Sequence, residues 1–173
     1  FTIGMSFLLC YQCSSDEVRI KLYYNEPKNS LDVLFFGSSA VRAGYIPTIG
    51  YENYGFTSYD YTVNHAPLPI MKYMIEEALE NQSPKLLVID INGITYCNKE
   101  FTSNKVNGFT ENINNTKIKN EINNKVLNKT SNIEDRIPFF NYHSNWQNLS
   151  LCLQYQKFFK NYGHKISKLK GYT

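Results

Sequence analysis

The sequence predicts an α/β domain that forms a three-layer sandwich around a parallel central sheet. Residues 32–36 and 85–91 are apolar runs too short for helices, which is typical of strands buried on both faces of a parallel sheet. A helical pattern at residues 70–81 precedes the second run, and a strand, a helix and a strand at this spacing form a βαβ unit. No closing strand follows near the C-terminus, so we expect the sandwich to be incomplete there.

The remaining elements near the first strand follow from local composition. A short helix is expected after that strand and is predicted to end near Gly44 and Pro47. Residues 58–63 alternate in polarity and are rich in Tyr, Thr and Val, which indicates a second strand. Residues 16–30 are polar and are predicted to form a loop that leads into the first strand.

The predicted helix at residues 70–81 is amphipathic. Its apolar side consists of Ile70, Met71, Met74, Ile75, Ala78 and Leu79. Its charged residues, Lys72, Glu76, Glu77 and Glu80, are predicted to face solvent.

The N-terminal residues 1–15 are predicted to be the remnant of a signal peptide or membrane anchor, and residues 16–173 to form the α/β domain. Residues 1–10 are apolar but too short to span a bilayer, which takes about 20 residues. A first core strand is the alternative. With the anchor, we expect an extracytoplasmic protein of the cell envelope that is membrane-anchored or secreted.

Residues 98–132 differ from the rest in their high Asn content, and their only periodic residues are Ile113, Ile118, Ile122 and Val126. We predict that this segment is an insertion or lid of one or two weakly amphipathic helices over the carboxyl edge of the sheet. A solvated linker is the alternative. Residues 168–172 are expected to trail off as a solvated, basic end.

Charge and cysteine content exclude several function classes. A net charge of +3, from 18 basic and 15 acidic residues, does not favour a nucleic-acid binder. The four cysteines, Cys10, Cys13, Cys97 and Cys152, form neither a zinc pattern nor a dense disulfide framework. The pair Cys10 and Cys13 leaves a redox protein as a minor alternative. We expect no metal and no cofactor.

Gly37, Ser38 and Ser39 stand at the carboxyl end of the first predicted strand, where open α/β sheets carry functional groups. The amides of the following helix would lie near Ser39 Oγ, where the oxyanion of a tetrahedral intermediate forms. Val41 occupies the last glycine position of the G-x-S-x-G elbow, which argues against an α/β-hydrolase. The alternative is that Ser38 and Ser39 only cap the helix.

The residues around Ser39 also carry a resemblance. Asp-Val-Leu-Phe-Phe-Gly-Ser-Ser at residues 32–39 resembles the first block of the SGNH (GDSL-like) hydrolases. The form is the divergent one of cell-envelope proteins similar to DltD and the alginate O-acetylation proteins. Further stretches that fit its layout are residues 59–61, 66–69, 73–79, 84–90 and 136–146. The resemblance covers about residues 31–146. It implies an SGNH or flavodoxin-like fold and the N-terminal portion of a longer enzyme.

The resemblance implies specific roles. Ser39 corresponds to the nucleophile, and the amide of Ser39 with Asn92 would form the oxyanion hole. The family usually supplies a further amide from a glycine after the second strand, where this chain has Asn64, His65 and Ala66. Residues expected to line the pocket are Ser38, Asn64, His65 and His143. Asp90 is a structural carboxylate in the alternative interpretation of the third block.

A serine nucleophile needs a base that accepts its proton. The family places Asp-x-x-His near its C-terminus, but His65, His143 and His164 do not follow an Asp at that spacing. We therefore expect the base to lie outside this chain. The sequence predicts a serine esterase or O-acyltransferase that acts on acyl esters of envelope polysaccharide, or on another small acyl ester, through an acyl-enzyme on Ser39. The alternative is a non-catalytic envelope module for binding or assembly.

Overall fold

A computed structural model describes residues 15–97, 106, 108–127 and 167–172 of the chain. The chain divides into two compact units, and every described residue belongs to the one formed by Ser14–Asn128 and His164–Thr173. The predicted anchor at residues 1–15 lies outside the described part, apart from its last residue. In the described ranges, no helix has the length and apolar character needed to cross a membrane.

The centre of the described unit is a parallel sheet of three strands, so the α/β class is confirmed. The strands are β1 (Val33–Gly37), β2 (Ser58–Thr62) and β3 (Leu86–Ile89), in the order β2-β1-β3. Both outer strands run parallel to β1. In this register Gly37 lies opposite Thr62, so the carboxyl ends of all three strands meet at one edge.

Helices flank this sheet. Those with described bounds are α1 (Ser15–Tyr23), α2 (Ser39–Gly44), α3 (Pro47–Tyr54), α4 (Leu68–Leu79) and α5 (Thr116–Glu121). Residues 108–110 are also helical. A 3₁₀ helix spans Ile91–Tyr96, and a π-helical turn, Ile122–Val126, continues α5. The short helix predicted after β1 does end at Gly44, but Pro47 begins a second helix that the sequence did not predict. Proline suits the first turn of a helix, because its fixed φ is helical and its missing N–H needs no partner there.

The core lies on the face of the sheet that carries alternate residues of β1 and β2. Leu34, Phe36, Tyr59 and Tyr61 are all buried on this face. The Tyr23 ring of α1 packs on Tyr59 and Tyr61, with ring centroids 5.2 and 4.6 Å away. This burial of aromatic surface explains why α1 docks on the sheet.

The segment predicted as a polar loop therefore begins with a helix, α1, and the prediction was wrong there. Asp16, Glu17 and Arg19 are all buried. Arg19 pairs with Asp16 and donates from Nε to the Thr62 carbonyl over 3.1 Å. Because buried charges are tolerated when they are paired and hydrogen-bonded, a polar sequence can form a packed helix here.

Two further predictions about exposure were wrong. Glu77 of α4 is buried rather than solvent-facing, and its carboxylate accepts a hydrogen bond from the Tyr24 hydroxyl. In β3, Leu86 and Ile89 are 54% and 43% exposed, although the apolar run predicted burial on both faces. Within the described residues β3 is an edge strand, so one of its sides has no neighbouring strand.

The end of the described chain, residues 167–172, packs on β2 instead of trailing off. The Asp60 amide donates to the Lys170 carbonyl over 2.9 Å. Lys170 Nζ also reaches the buried Glu26 carboxylate at 2.6 Å. Gly171 has φ +89°, and a Cβ there would lie 2.4 Å from the Asp60 carbonyl, so only glycine fits. This turn covers the outer edge of β2.

The described part of the predicted insertion at residues 98–132 contributes to the core. Its buried apolar residues are Val106, Phe109, Ile113, Ile118 and Ile122. The Asn114 amide donates to the Tyr24 hydroxyl over 3.0 Å. The solvated-linker alternative therefore does not describe residues 108–127. The lid over the carboxyl edge of the sheet stays a prediction.

Candidate functional site

The candidate site lies at the carboxyl edge of the sheet. The chain passes from β1 directly to Ser38 and α2, and from β3 to Asp90 and the 3₁₀ helix. After β2 it turns through residues 63–66. In the sheet, β2 lies on one side of β1 and β3 lies on the other side. Open α/β sheets bind ligands at the carboxyl edge where the strand order changes in this way.

Ser38 has a structural role at this edge. Its side chain is 1% exposed, accepts a hydrogen bond from the Ala40 amide over 3.3 Å and caps α2. The Ser38 hydroxyl also donates to Asp90 Oδ2 over 3.1 Å. Its single donor and one of its two acceptor lone pairs are therefore occupied, and the capping interpretation holds for Ser38.

Ser39 differs from Ser38. It is the first residue of α2 and is half-buried. The N–H groups in the first turn of a helix have no intrahelical acceptor, so the Ser39 amide is available to a ligand. Within the ranges that the structure describes, the Ser39 hydroxyl makes no hydrogen bond. Of these two adjacent serines, Ser38 therefore caps α2, whereas Ser39 has a hydroxyl without a hydrogen bond in the described residues.

The approach of β1 to the end of β3 depends on Gly37. A Cβ at Gly37 would lie 2.5 Å from Asp90 Cβ and 2.7 Å from Val41 Cγ2. The φ of Gly37 is not in the left-handed region, so glycine is needed there for space and not for an unusual backbone angle. The Asp90 amide donates to the Phe36 carbonyl over 2.8 Å, which extends the pairing of the two strands.

Asn92 lies beside this contact at the start of the 3₁₀ helix. Its amide donates to Asp90 Oδ1 over 2.8 Å, so Asp90 caps the 3₁₀ helix. The Asn92 residue is exposed, and its side-chain amide makes no hydrogen bond to the described residues.

The turn after β2 is the third part of the edge. The Val63 amide donates to the Gly37 carbonyl over 3.1 Å, which holds the turn beside β1. The Asn64 amide is occupied by Asp16 Oδ1, and the Ala66 amide by the Val63 carbonyl. Among the hydrogen bonds of the described residues, none uses the His65 amide. The turn therefore presents one unengaged N–H.

His65 holds an unusual conformation in this turn. Its φ of +52° is in the left-handed region, which glycine and Asn tolerate best. Its ring packs edge-on against Tyr96, with centroids 5.1 Å apart. Its Nδ1 is buried and has no hydrogen-bond partner. The side chain thus holds the turn against the 3₁₀ helix.

Side chains three residues apart are eclipsed in a 3₁₀ helix and therefore share one side of it. Gly93 and Tyr96 share the side that packs on the turn after β2. A Cβ at Gly93 would lie 2.8 Å from the Ala66 carbonyl oxygen. Ile91 and Ile94 share an exposed side, at 71% and 60% exposure. This packing brings the segments after β2 and β3 together at the edge where β1 ends.

Asp60 is the carboxyl with a perturbed pKa closest in sequence to the edge, two residues before the end of β2. It is fully buried, and neither of its side-chain oxygens has a hydrogen-bond partner. Burial raises the pKa of Asp60 to about 8, against the opposing effect of the Arg19 charge. Because a substrate cannot reach it, Asp60 is a stability feature and not part of the site.

The structure brings together Ser38, Ser39, Asn64, His65 and Asn92 at one edge. His143 lies outside the described residues, so its predicted place in the pocket stays a prediction. His65 is the one histidine in the described ranges, and no hydrogen bond joins it to Ser39. The structural role predicted as the alternative for Asp90 agrees with its cap of the 3₁₀ helix, but sequence reasoning missed its contact with Ser38. The signal was an Asp that directly follows a strand, which is a common helix-capping position.

The described residues contain no group of three or more His, Cys, Asp or Glu side chains placed to hold a metal ion. Comparison with known proteins finds no family model, no curated protein and no solved structure that matches this chain. The functional interpretation therefore rests on the edge itself.

Proposed function

We propose that this chain carries the nucleophile half of an SGNH-like serine esterase or O-acyltransferase, with Ser39 as the nucleophile. The observation that carries the proposal is the difference between the two serines. Ser38 is consumed as a helix cap, whereas Ser39 has an unengaged hydroxyl at the carboxyl end of the central strand. In this proposal the substrate is an acyl ester of envelope polysaccharide, and an anchor in residues 1–15 holds the domain outside the cytoplasm.

The strand order supports the finer fold assignment within this proposal. Flavodoxin-like sheets have the order 2-1-3-4-5, and the three described strands have the order β2-β1-β3. We therefore propose a three-layer sandwich of the SGNH or flavodoxin-like kind.

The unengaged donors at the edge supply the proposed oxyanion hole. The Ser39 amide is one donor, and the exposed Asn92 side chain is the second. The family's third donor is usually a glycine amide, and this chain has no glycine in the turn. His65 has the left-handed backbone that glycine favours, and its amide is unengaged. We assign the third donor to the His65 main chain.

The proposed chemistry is acyl transfer in two steps. A base removes the Ser39 proton as Oγ attacks the ester carbonyl, and the three donors stabilise the resulting oxyanion. The tetrahedral intermediate expels the alcohol, which takes the proton from the base, and an acyl-enzyme remains. Water or an acceptor hydroxyl then attacks the acyl-enzyme by the reverse sequence. Within the described residues no histidine is hydrogen-bonded to Ser39, so the base is proposed to come from elsewhere in the full-length protein.

A fluorophosphonate probe tests the nucleophile in the full-length protein. We expect wild type to be labelled and Ser39→Ala to be unlabelled. Ser38→Ala is expected to be labelled more slowly, because the Ser38 hydroxyl is not the nucleophile but fixes the first turn of α2. Ser83→Ala is a matched control, since Ser83 is exposed and precedes β3, at the end of that strand opposite the candidate site. Labelling of Ser39→Ala at the wild-type rate contradicts the assignment.

A non-catalytic envelope module is the second candidate. The observation that favours it is the lack of a base hydrogen-bonded to Ser39 in the described part of the chain. An unlabelled wild-type protein that binds acylated polysaccharide equally well with and without Ser39→Ala supports the module over the enzyme.

A further inference from the structure

One carboxylate, that of Asp90, contacts the segments that follow both β1 and β3. Asp90 Oδ2 accepts from the Ser38 hydroxyl over 3.1 Å, and Asp90 Oδ1 accepts from the Asn92 amide over 2.8 Å. Ser38 is the residue that caps α2, and Asn92 belongs to the first turn of the 3₁₀ helix. Within the described residues, the Asp90 side chain therefore joins the start of α2, through Ser38, to the start of the 3₁₀ helix.

The Ser38 contact transmits the position of Asp90 to Ser39. The Ser38 hydroxyl donates to Asp90 and accepts from the Ala40 amide, so its orientation is fixed from both sides. Ser39 lies between Ser38 and Ala40 in the chain, and its amide direction depends on the same first turn. Asp90 makes no hydrogen bond to the Ser39 hydroxyl or amide, and so it acts on Ser39 through Ser38.

The geometry points to Asp90 as a positioning residue, which holds the Ser39 nucleophile and the Asn92 oxyanion donor in register. This inference rests on the proposed function. A carboxylate suits the role because it has two acceptor oxygens and can bind both helix starts at once. Gly37 leaves the space that Asp90 needs in this position, because a Cβ at residue 37 would lie 2.5 Å from Asp90 Cβ.

The opposite end of the same strands offers a matched control. Asp32 immediately precedes β1, and its Oδ2 accepts from the Thr57 amide and hydroxyl over 3.0 and 2.9 Å. Its Oδ1 accepts from Lys85 Nζ at 2.8 Å, directly before β3. Asp32 thus also joins the segments next to β1 and β3, but at the amino edge. Its loss disturbs the fold without touching the candidate site.

The experiment compares the variants Asp90→Ala, Asp90→Asn and Asp32→Ala of the full-length protein in their labelling by a fluorophosphonate. The maximal labelling rate constant and the half-saturating probe concentration are measured separately, on the folded fraction of each variant. We expect Asp90→Ala to lower the rate constant about 10- to 100-fold, the effect of a misplaced reacting group. The half-saturating concentration is expected to change less than about threefold, because Asp90 does not bind the probe.

Two further variants separate positioning from a general loss of structure. Asp90→Asn keeps one acceptor oxygen and is expected to recover part of the rate. Ser38→Ala combined with Asp90→Ala is expected to lose less than the sum of the two single losses, since both remove the hydrogen bond between Ser38 and Asp90. Asp32→Ala is expected to label at the wild-type rate. Additive losses for Ser38 and Asp90, or an equal loss for Asp32→Ala, overturn the inference.

The two proposals fail in different ways. A labelled wild type with an unaffected Asp90→Ala variant overturns the positioning role alone. A wild type that the probe does not label overturns the proposed function together with this inference.

Discussion

The Ser38 hydroxyl donates to Asp90 Oδ2 over 3.1 Å across 52 residues of sequence, and this contact determines which of two adjacent serines is structural. A serine hydroxyl has one proton to donate, and Ser38 donates it to the Asp90 carboxylate, so Ser38 has no free donor for catalysis. The same contact ties the ends of β1 and β3 together at the candidate site.

Removal of the Ser38 hydroxyl is expected to destabilise the fold. Ser38→Ala loses the cap of α2 and the contact to Asp90, which predicts a loss of about 1 kcal/mol in the free energy of unfolding. Ser38→Thr keeps the hydroxyl and is expected to lose less. Urea unfolding of both variants measures the difference, with exposed Ser83→Ala as the control. Equal stability of Ser38→Ala and wild type would contradict the capping role.

Asp60 is expected to make stability fall as pH rises. Its pKa is raised from 3.8 to about 8 in the folded state, so the native protein holds a proton that the unfolded chain loses at lower pH. Stability therefore decreases between about pH 4 and pH 8, by up to about 1.4 kcal/mol per pH unit. Asp60→Asn removes this dependence and is expected to be more stable than wild type at pH 9. Urea unfolding at pH 5, 7 and 9 tests it.

The contribution of Asp32 to stability is expected to depend on pH in the opposite direction to that of Asp60, which makes it a control. Hydrogen bonds from Lys85 and Thr57 hold the pKa of Asp32 well below its usual value. Its contribution is present above the unfolded pKa and is lost as pH falls through the folded one. Asp32→Asn is thus expected to be less stable than wild type at neutral pH and equal to it in strong acid. A pH-independent difference for either variant contradicts these assignments.

Gly93 is expected to tolerate no side chain. A Cβ there would lie 2.8 Å from the Ala66 carbonyl and 3.0 Å from the Leu68 amide, both of them backbone atoms that cannot move alone. Gly93→Ala is expected to cost about 1–3 kcal/mol of unfolding free energy and to weaken the contact between His65 and Tyr96. Gly44→Ala is the matched control, because nothing lies within 4 Å of its Cβ position. Thermal unfolding and ring-to-ring nuclear Overhauser effects report both changes.

His65 tests whether the main chain or the side chain serves the site. Its φ of +52° suits Asn but not a β-branched residue, so His65→Val is expected to be about 1–2 kcal/mol less stable than His65→Asn. Since the proposed donor is the main-chain amide, His65→Asn is expected to keep most of the fluorophosphonate labelling. Loss of labelling in a folded His65→Asn variant would assign the role to the imidazole instead.

The strands and the main helix of this fold could be predicted from local pattern. β1 is a continuous apolar run, and α4 has an apolar stripe, and both signals depend only on neighbouring residues. Helix α1 could not be predicted, because its charged residues look solvent-exposed until their partners are known. Arg19 donates to the Thr62 carbonyl, 43 residues away, and one carboxylate oxygen of Glu77 accepts from the Tyr24 hydroxyl. Burial of a polar residue depends on such distant partners, which the local sequence does not contain.

The sequence by itself determined that a serine pair stands at the end of a buried parallel strand, because the apolar run and the small residues after it are local features. Only the tertiary structure decided which serine is engaged. The Ser38 hydroxyl is engaged because it donates to Asp90, the residue after β3, and accepts from the Ala40 amide in the first turn of α2. Ser39, one residue later, has no such partner in the described residues, so its role depends on what the folded edge leaves unpaired.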